Sequence, residues 1–232
     1  MTALQGKGSA ALRSFHVGLD LGQRIDHTAI VVVEQRIELT GEIDARTYEH
    51  KCVRKLVIRM AEQVPLGQSY FRIAEAVYRL TSAPELKGSD GVTTSFDATG
   101  VGNGVADILR TRPPYGRMYP VVFTPGETPH YKDGYYYEPK NRMMVGLLRA
   151  LEMDGLCVAA DVDGWELLEK ELLSMRRLPG NRLNVGAGMR WVSDGKHDDL
   201  VMALTLALHG MRENWLPVEG DRVRRRIQHG KL

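Results

Sequence analysis

Three places in the chain set carboxylates where a backbone element begins or ends. Asp20 closes the apolar run in H-V-G-L-D-L-G, where its side chain leaves the core and meets solvent at a sheet edge. Asp97 closes T-T-S-F-D-A-T-G-V-G, and the glycines after it let another chain approach the backbone closely. Asp198 and Asp199 open an apolar helix in K-H-D-D-L, where they can accept bonds from its free N–H groups. Each site alone has a plain structural account, as a turn residue or a helix cap. Strand-end carboxylates from separate parts of a chain converge, however, when their strands are neighbours in a mixed sheet. Three or four unpaired carboxylates within a few ångströms repel one another and hold protons unless a divalent cation neutralises them. Oxygen ligands without clustered His or Cys favour Mg²⁺ or Mn²⁺ over zinc. Two such ions about 4 Å apart activate a water and stabilise the leaving oxygen at a phosphodiester. The chemistry implied is hydrolytic cleavage of nucleic acid.

The elements that must position these acids are legible in outline. Phe15 to Leu21 and Thr28 to Glu34 are apolar and β-branched around Gly22 to Asp26, which predicts two paired strands joined by a turn. A third strand is expected from Lys51 to Met60. After Pro65 a helical period begins that ends near Pro84, followed by a strand at Val92 to Phe96 and a helix over Val105 to Leu109. A further strand, Tyr119 to Phe123, leads to Tyr131, Tyr135 and Tyr137 around Asp133-Gly134, a pair that favours a type I′ turn and hence a protruding hairpin. Pro139 opens a helix to about Met153, with Met144, Leu147, Leu148 and Leu151 on its core face. Lys140 in its first turn opposes the helix dipole, so it is either solvated or faces an anion. Helices over Trp165 to Met175 and Asp198 to about Met211 bracket a strand pair in Arg182 to Val192, around Gly186 and Gly188. The order of elements predicts an α/β fold whose central mixed sheet is covered on both faces.

The chain has 232 residues, 43% hydrophobic and 26% charged, in the range of ordinary globular domains. No apolar stretch approaches the roughly 18 residues that span a bilayer, and the first fourteen residues lack a secretory pattern. A cytoplasmic location and no membrane partner are expected. Cys52 and Cys157 form no C-x-x-C pair, so neither a disulfide framework nor a zinc site is predicted and both read as buried thiols. Net charge is +2, but the last twelve residues carry +4 and the remainder −2. The basic tail is a candidate arm for nucleic acid or an acidic partner, or a solubilising segment. Three parts are expected: an N-terminal extension over residues 1–14, a domain over 15–213 and the tail over 214–232.

Several of these segments together resemble, in order and spacing, the nuclease domain of tailed-bacteriophage terminase large subunits. They are V-G-L-D-L-G with T-A-I-V-V-V, S-F-D-A-T-G-V-G-N-G-V-A-D-I-L, P-K-N-R-M-M-V-G-L-L-R-A-L-E-M-D-G-L and K-H-D-D-L-V-M-A-L-T-L-A, spread over residues 15 to 210. The resemblance implies a ribonuclease H-like fold in which Asp20, Asp97 and the Asp198/Asp199 pair hold two Mg²⁺ or Mn²⁺ ions, with either of the last two as the main ligand. His197 matches a histidine that often stands before those acids, and a role beside the ligands, or in packing, follows. The implied function is a metal-dependent endonuclease that cuts concatemeric viral double-stranded DNA during packaging, in the host cytoplasm if viral. Its partners would be a packaging ATPase, in the same polypeptide or separate, the small terminase subunit and the portal. No G-x-x-x-x-G-K-[ST] loop occurs, so the chain is expected to cut DNA and not to pump it. Such an enzyme grips phosphates rather than reading bases, and Lys140, Arg142 and Lys132, with the tyrosine hairpin, are the candidate surface.

Two rival functions share some of these features. A Holliday-junction resolvase would have the same fold and an acidic metal site, usually in a symmetric dimer. An actin-like ATPase or sugar kinase also ends early strands in D-x-G, here matched loosely at Asp20 to Gly22 and Asp97 to Gly102, but has no need of Asp198-Asp199. G-V-G-N-G does not follow the first strand, so a dinucleotide fingerprint fails. Asp26, Glu34, Glu127, Asp161 and Asp163 read as solvated loop or strand positions.

Overall fold

The computed structural model describes residues 11–22, 27–99, 102–152, 155–178, 190–194 and 197–211. Asp26, Lys196, most of the N-terminal extension, the Gly186/Gly188 region and the basic tail lie outside the described residues. Ten strands and six helices follow the order β1 (Ala11–Asp20), β2 (Thr28–Ile43), β3 (His50–Val64), α1 (Tyr70–Thr81), α2 (Pro84–Lys87), β4 (Gly91–Asp97), α3 (Gly102–Thr111), β5 (Arg117–Thr124), β6 (His130–Lys132), β7 (Tyr135–Pro139), α4 (Lys140–Glu152), β8 (Leu156–Val158), α5 (Trp165–Ser174), β9 (Met175–Leu178), β10 (Arg190–Ser193) and α6 (Asp199–His209). Eight strands form one mixed sheet in the order β6-β7-β5-β4-β1-β2-β3-β8, and β9 pairs with β10 in a separate ribbon. Strands β1, β4, β5 and β7 run parallel, while β2 returns antiparallel beside β1.

Strict alternation in the central strands feeds a core on each face. Ala29, Val31 and Val33 of β2 face α4, α5 and α6, together with Leu56 and Ile58 of β3. Ile30 and Val32 turn the other way, joining Phe15, Val17 and Leu19 of β1 beneath α1 and α3. Helix α6 is apolar all round and every one of its residues is buried, which marks it as the central helix of its layer. It lies unusually close to β1. A side chain at Gly18 would collide with the carbonyl of Ala203 and the amide of Ala207, so only glycine lets the helix rest on the strand's backbone. Gly164 does the same for α5, whose start sits against the carbonyl of Ala61 in β3.

The expected hairpin is present as β6 and β7, with Asp133 and Gly134 both at positive φ (52° and 84°), as a type I′ turn requires. Several expectations need correction. Strand β1 begins at Ala11, four residues inside the segment read as an extension. Strand β2 extends well past Glu34 as a ribbon with the start of β3, because charged residues alternate with apolar ones that cover a small Leu12–Ile37 cluster, and at the opposite end β3 continues past Met60 to Val64 beside Thr28–Val31. Arg190–Ser193 pairs with Met175–Leu178, where the backbone is already extended at the end of α5, and the rest of the strand pair expected in 182–192 lies outside the described residues. The core face of α4 is Met143, Met144, Leu147 and Ala150, while Leu151 is 43% exposed, because α4 packs on α6 along the Met143 side. Cys157 is exposed and Cys52 half-buried, so neither is the buried thiol expected. Glu34, read as solvated, is fully buried.

Candidate functional site

Parallel pairing of β1 with β4 sets Leu19 opposite Phe96, so Asp20 and Asp97, one residue further, end adjacent strands side by side. Pleating turns both toward the face that carries α6, the same face as Gly18 and Ser95. Asp199 is the first residue of α6 and Asp198 stands just before it. Strand order and the glycine contact at Gly18 thus bring three distant segments to one sheet edge. The four carboxylates sense one another. Burial pushes the Asp20 carboxyl well above the usual range, and Asp97, Asp199 and Asp198, in that order, push it further, while Lys140 pulls it down. Asp97 is also raised, chiefly by burial, against hydrogen bonds from Thr99 and the charge of Lys140. The Thr99 amide donates to Asp97 Oδ1 at 2.7 Å.

Lys140 resolves the question its position raised. Its Nζ lies 3.2 Å from Asp198 Oδ2, so the cation at the start of α4 faces an anion across the site. Arg142 remains 63% exposed on the outer side of α4, with Glu138 at 3.9 Å. Lys132 is exposed on the hairpin tip, outside the acid cluster. Register carries Asp97 to Val121 and Val121 to Tyr136, so the hairpin stands level with Asp97. At about 4.8 Å per strand, β6 is roughly 14 Å along the edge from β4. The tyrosines make ordinary ring contacts: His130 stacks on Tyr137 at 4.5 Å, and Tyr131 tilts against Tyr136 at 4.7 Å.

His197 Nδ1 lies 3.8 Å from Asp199 Oδ2, and its ring meets that of His27 edge-on at 6.2 Å. His27 was not singled out in the sequence. Its Nδ1 is 3.1 Å from the Val64 carbonyl, which only accepts, so that nitrogen carries the proton. Glu171 was missed as well. From α5 its Oε2 accepts the amides of Leu200 at 2.9 Å and Val201 at 3.2 Å, the second and third N–H groups of α6. Burial raises its carboxyl, opposed by those amides and reinforced by Asp199 and Asp198. The available signal was helical phase: Glu171 is three residues from Leu168, on the buried face of α5. Glu127, Asp161 and Asp163 are exposed, as expected.

Among the described residues, no three His, Cys, Asp or Glu side chains are already closed around a common point as metal ligands. The donor set nevertheless fits a hard cation. Its members are carboxylate oxygens, and burial together with three neighbouring acids raises the Asp20 carboxyl, an excess of negative charge that a divalent ion would offset. Asp20, Asp97 and Asp198 are half-buried and Asp199 is buried, where β1 and β4 end. Clefts of about 280 and 440 Å³ lie elsewhere, one beside Glu138 and His209, the other at the beginning of β1 and β4 around His16. No helix among the described residues is long and apolar enough to cross a membrane.

No protein-family model matches the chain, and no curated protein matches it in sequence. Solved structures do match. The human cytomegalovirus terminase nuclease domain superposes with a TM-score of 0.51 and 14% identity, covering 88% of this chain and 86% of that one. A manganese-soaked form of that domain gives 0.47 and 17% over 84% and 83%. The nuclease domain of g2p, the large terminase of bacteriophage SPP1, with bound Mn, gives 0.45 and 11% over 87% and 86%. With its eight-stranded mixed sheet flanked by helices on both faces, the chain has, over most of its length, the ribonuclease H-like fold found in terminase nuclease domains.

Proposed function

We propose that this chain is a metal-dependent DNA endonuclease of the terminase type, cutting concatemeric viral double-stranded DNA during genome packaging. The observation that carries the reading is the meeting of Asp20, Asp97, Asp198 and Asp199 where two adjacent strands end and α6 begins. Asp20, Asp97 and the Asp198/Asp199 pair would hold Mg²⁺ or Mn²⁺, both members of the pair bearing on Asp20, Asp199 the more strongly. Bound there as a pair, the ions supply an activated water and a counter-charge for the leaving oxygen. Lys140 partly neutralises the cluster and presents an ammonium group to an incoming phosphate. Arg142 and, further along the edge, Lys132 extend that cationic line and grip the backbone without reading bases. His197 steadies Asp199. The packaging ATPase, the small terminase subunit and the portal are the partners this function entails.

Incubation of supercoiled plasmid with the protein in Mn²⁺ or Mg²⁺ tests the proposal, with EDTA and Asp97→Asn as controls. Nicking and linearisation are expected in either metal. The variant should lose more than the about 10–100-fold that residues merely supporting a metal site cost. Folded protein that binds DNA but leaves it intact in both metals sinks the reading. Symmetric incision confined to four-way junctions replaces it with a resolvase.

A further inference from the structure

Asp198 occupies the N-cap position of α6, where an aspartate normally turns its carboxylate back on the second and third amides of its own helix. Here it makes no such bond. Those two amides, of Leu200 and Val201, are taken instead by Glu171 Oε2, reaching across from α5. Glu171 is 5% exposed, and its other oxygen has the amide of Gln63 at 3.4 Å. Helix α5 is itself seated on β3 through Gly164. The cap is therefore tied to the sheet and not to the segment that carries the acids.

We infer that Glu171 is a positioning residue of the acidic site: by capping α6 from outside, it lets the Asp198 carboxylate at the N-cap face the acidic cluster instead of the helix's own amides. This inference rests on the nuclease reading. A carboxylate two residues away on the chain could satisfy the helix dipole equally well, but only at the cost of withdrawing a ligand. Glu171 satisfies it with a buried carboxylate already committed to two amides. Without it, Asp198 rotates onto Leu200 and Val201 and the start of α6 turns with it.

Two variants separate position from charge. Glu171→Gln keeps an oxygen in place to accept both amides and loses the charge, and Gln63 can reverse its own amide to suit. Glu171→Asp keeps the charge and withdraws the carboxylate by one methylene. The measurements are Mn²⁺ affinity, read from the free-ion signal in electron paramagnetic resonance, and amide exchange at Leu200 and Val201. Glu171→Gln should bind Mn²⁺ like the unaltered protein, while Glu171→Asp loses about 10–100-fold, as partners of metal ligands do. The same loss should appear in kcat for plasmid nicking, with KM for DNA unchanged. Leu200 and Val201 should remain protected in Glu171→Asp, now capped by Asp198, and adding Asp198→Ala, which has no side-chain acceptor, should expose them. Equal losses in both variants, or Mn²⁺ affinity unchanged in Glu171→Asp, overturn the inference and leave the nuclease reading standing. Failure of the unaltered protein to bind Mn²⁺, with these amides protected, overturns the nuclease reading itself.

Discussion

Two buried carboxylate sites on the central strands meet opposite fates. Glu34 of β2 has no exposed surface and receives Arg13, Arg36 and Arg59 on its two oxygens. Burial alone pushes its carboxyl up, yet the bonds from Arg36, Arg13 and Arg59 bring it down to about 2. Asp20 of β1, at the other end of the same strand pair, is surrounded by Asp97, Asp199 and Asp198, and its carboxyl is driven up. One partial cation, Lys140, stands against four acids. Burying a charge is costly in both places, but the three arginines at Glu34 outnumber its charge, whereas Lys140 alone faces the cluster at Asp20. The excess of negative charge at the Asp20 site is what a cation from outside would offset.

Exchanging each acid for its amide makes the contrast sharpest. Glu34→Gln should destabilise the fold by about 3 kcal/mol, toward the lower end for a broken buried pair because the three arginines keep contact with water. In metal-free buffer Asp20→Asn should do the reverse and stabilise, since it removes a charge held among like charges. Urea unfolding against pH adds the sign. Glu34 is stabilising wherever its unfolded form, near 4.5, is ionised, and that contribution is lost as pH falls toward about 2. The gap between the unaltered protein and Glu34→Gln should close over that window. Asp20, with a raised value, gains on acidification instead, so its gap to Asp20→Asn narrows as pH falls. A stabilising Glu34→Gln would break the comparison.

The middle-sized effect is the cation itself. Mn²⁺ at a hundred times its dissociation constant should stabilise the protein by about 2.7 kcal/mol. Thermal melting should show that shift in the unaltered protein and not in Asp97→Asn. The smallest effect belongs to Lys140→Ala. Lys140 is 39% exposed, so breaking its contact with Asp198 should move stability by no more than about 1 kcal/mol. Its effect on plasmid binding should be larger at low salt than at high, which a filter-binding series reads directly.

The acids were legible because each closes or opens an element whose apolar pattern is plain, and parallel neighbours carry such ends to a common edge. Asp20, Asp97 and the Asp198/Asp199 pair needed only strand order to be joined. Glu34 misled for a physical reason: alternation along β2 shows that it leaves one face, but not that three arginines from three strands await it on the other. Glu171 stayed hidden because its partners are backbone amides 29 and 30 residues away, which leave no mark in side-chain spacing. The long β2–β3 ribbon was underestimated where charged residues interrupt the apolar run. Lys140 stood out as a cation at the wrong end of a helix, and the structure supplies the anion.

Gly18 has a bearing on how the site would take up and release its ions. Because α6 rests on the backbone of β1, with no side chain between them to change rotamer, Asp20 and Asp199 ride on surfaces that cannot slide past one another. If Asp20 and Asp199 take an ion as proposed, the main chain beneath them would need little reorganisation to receive it.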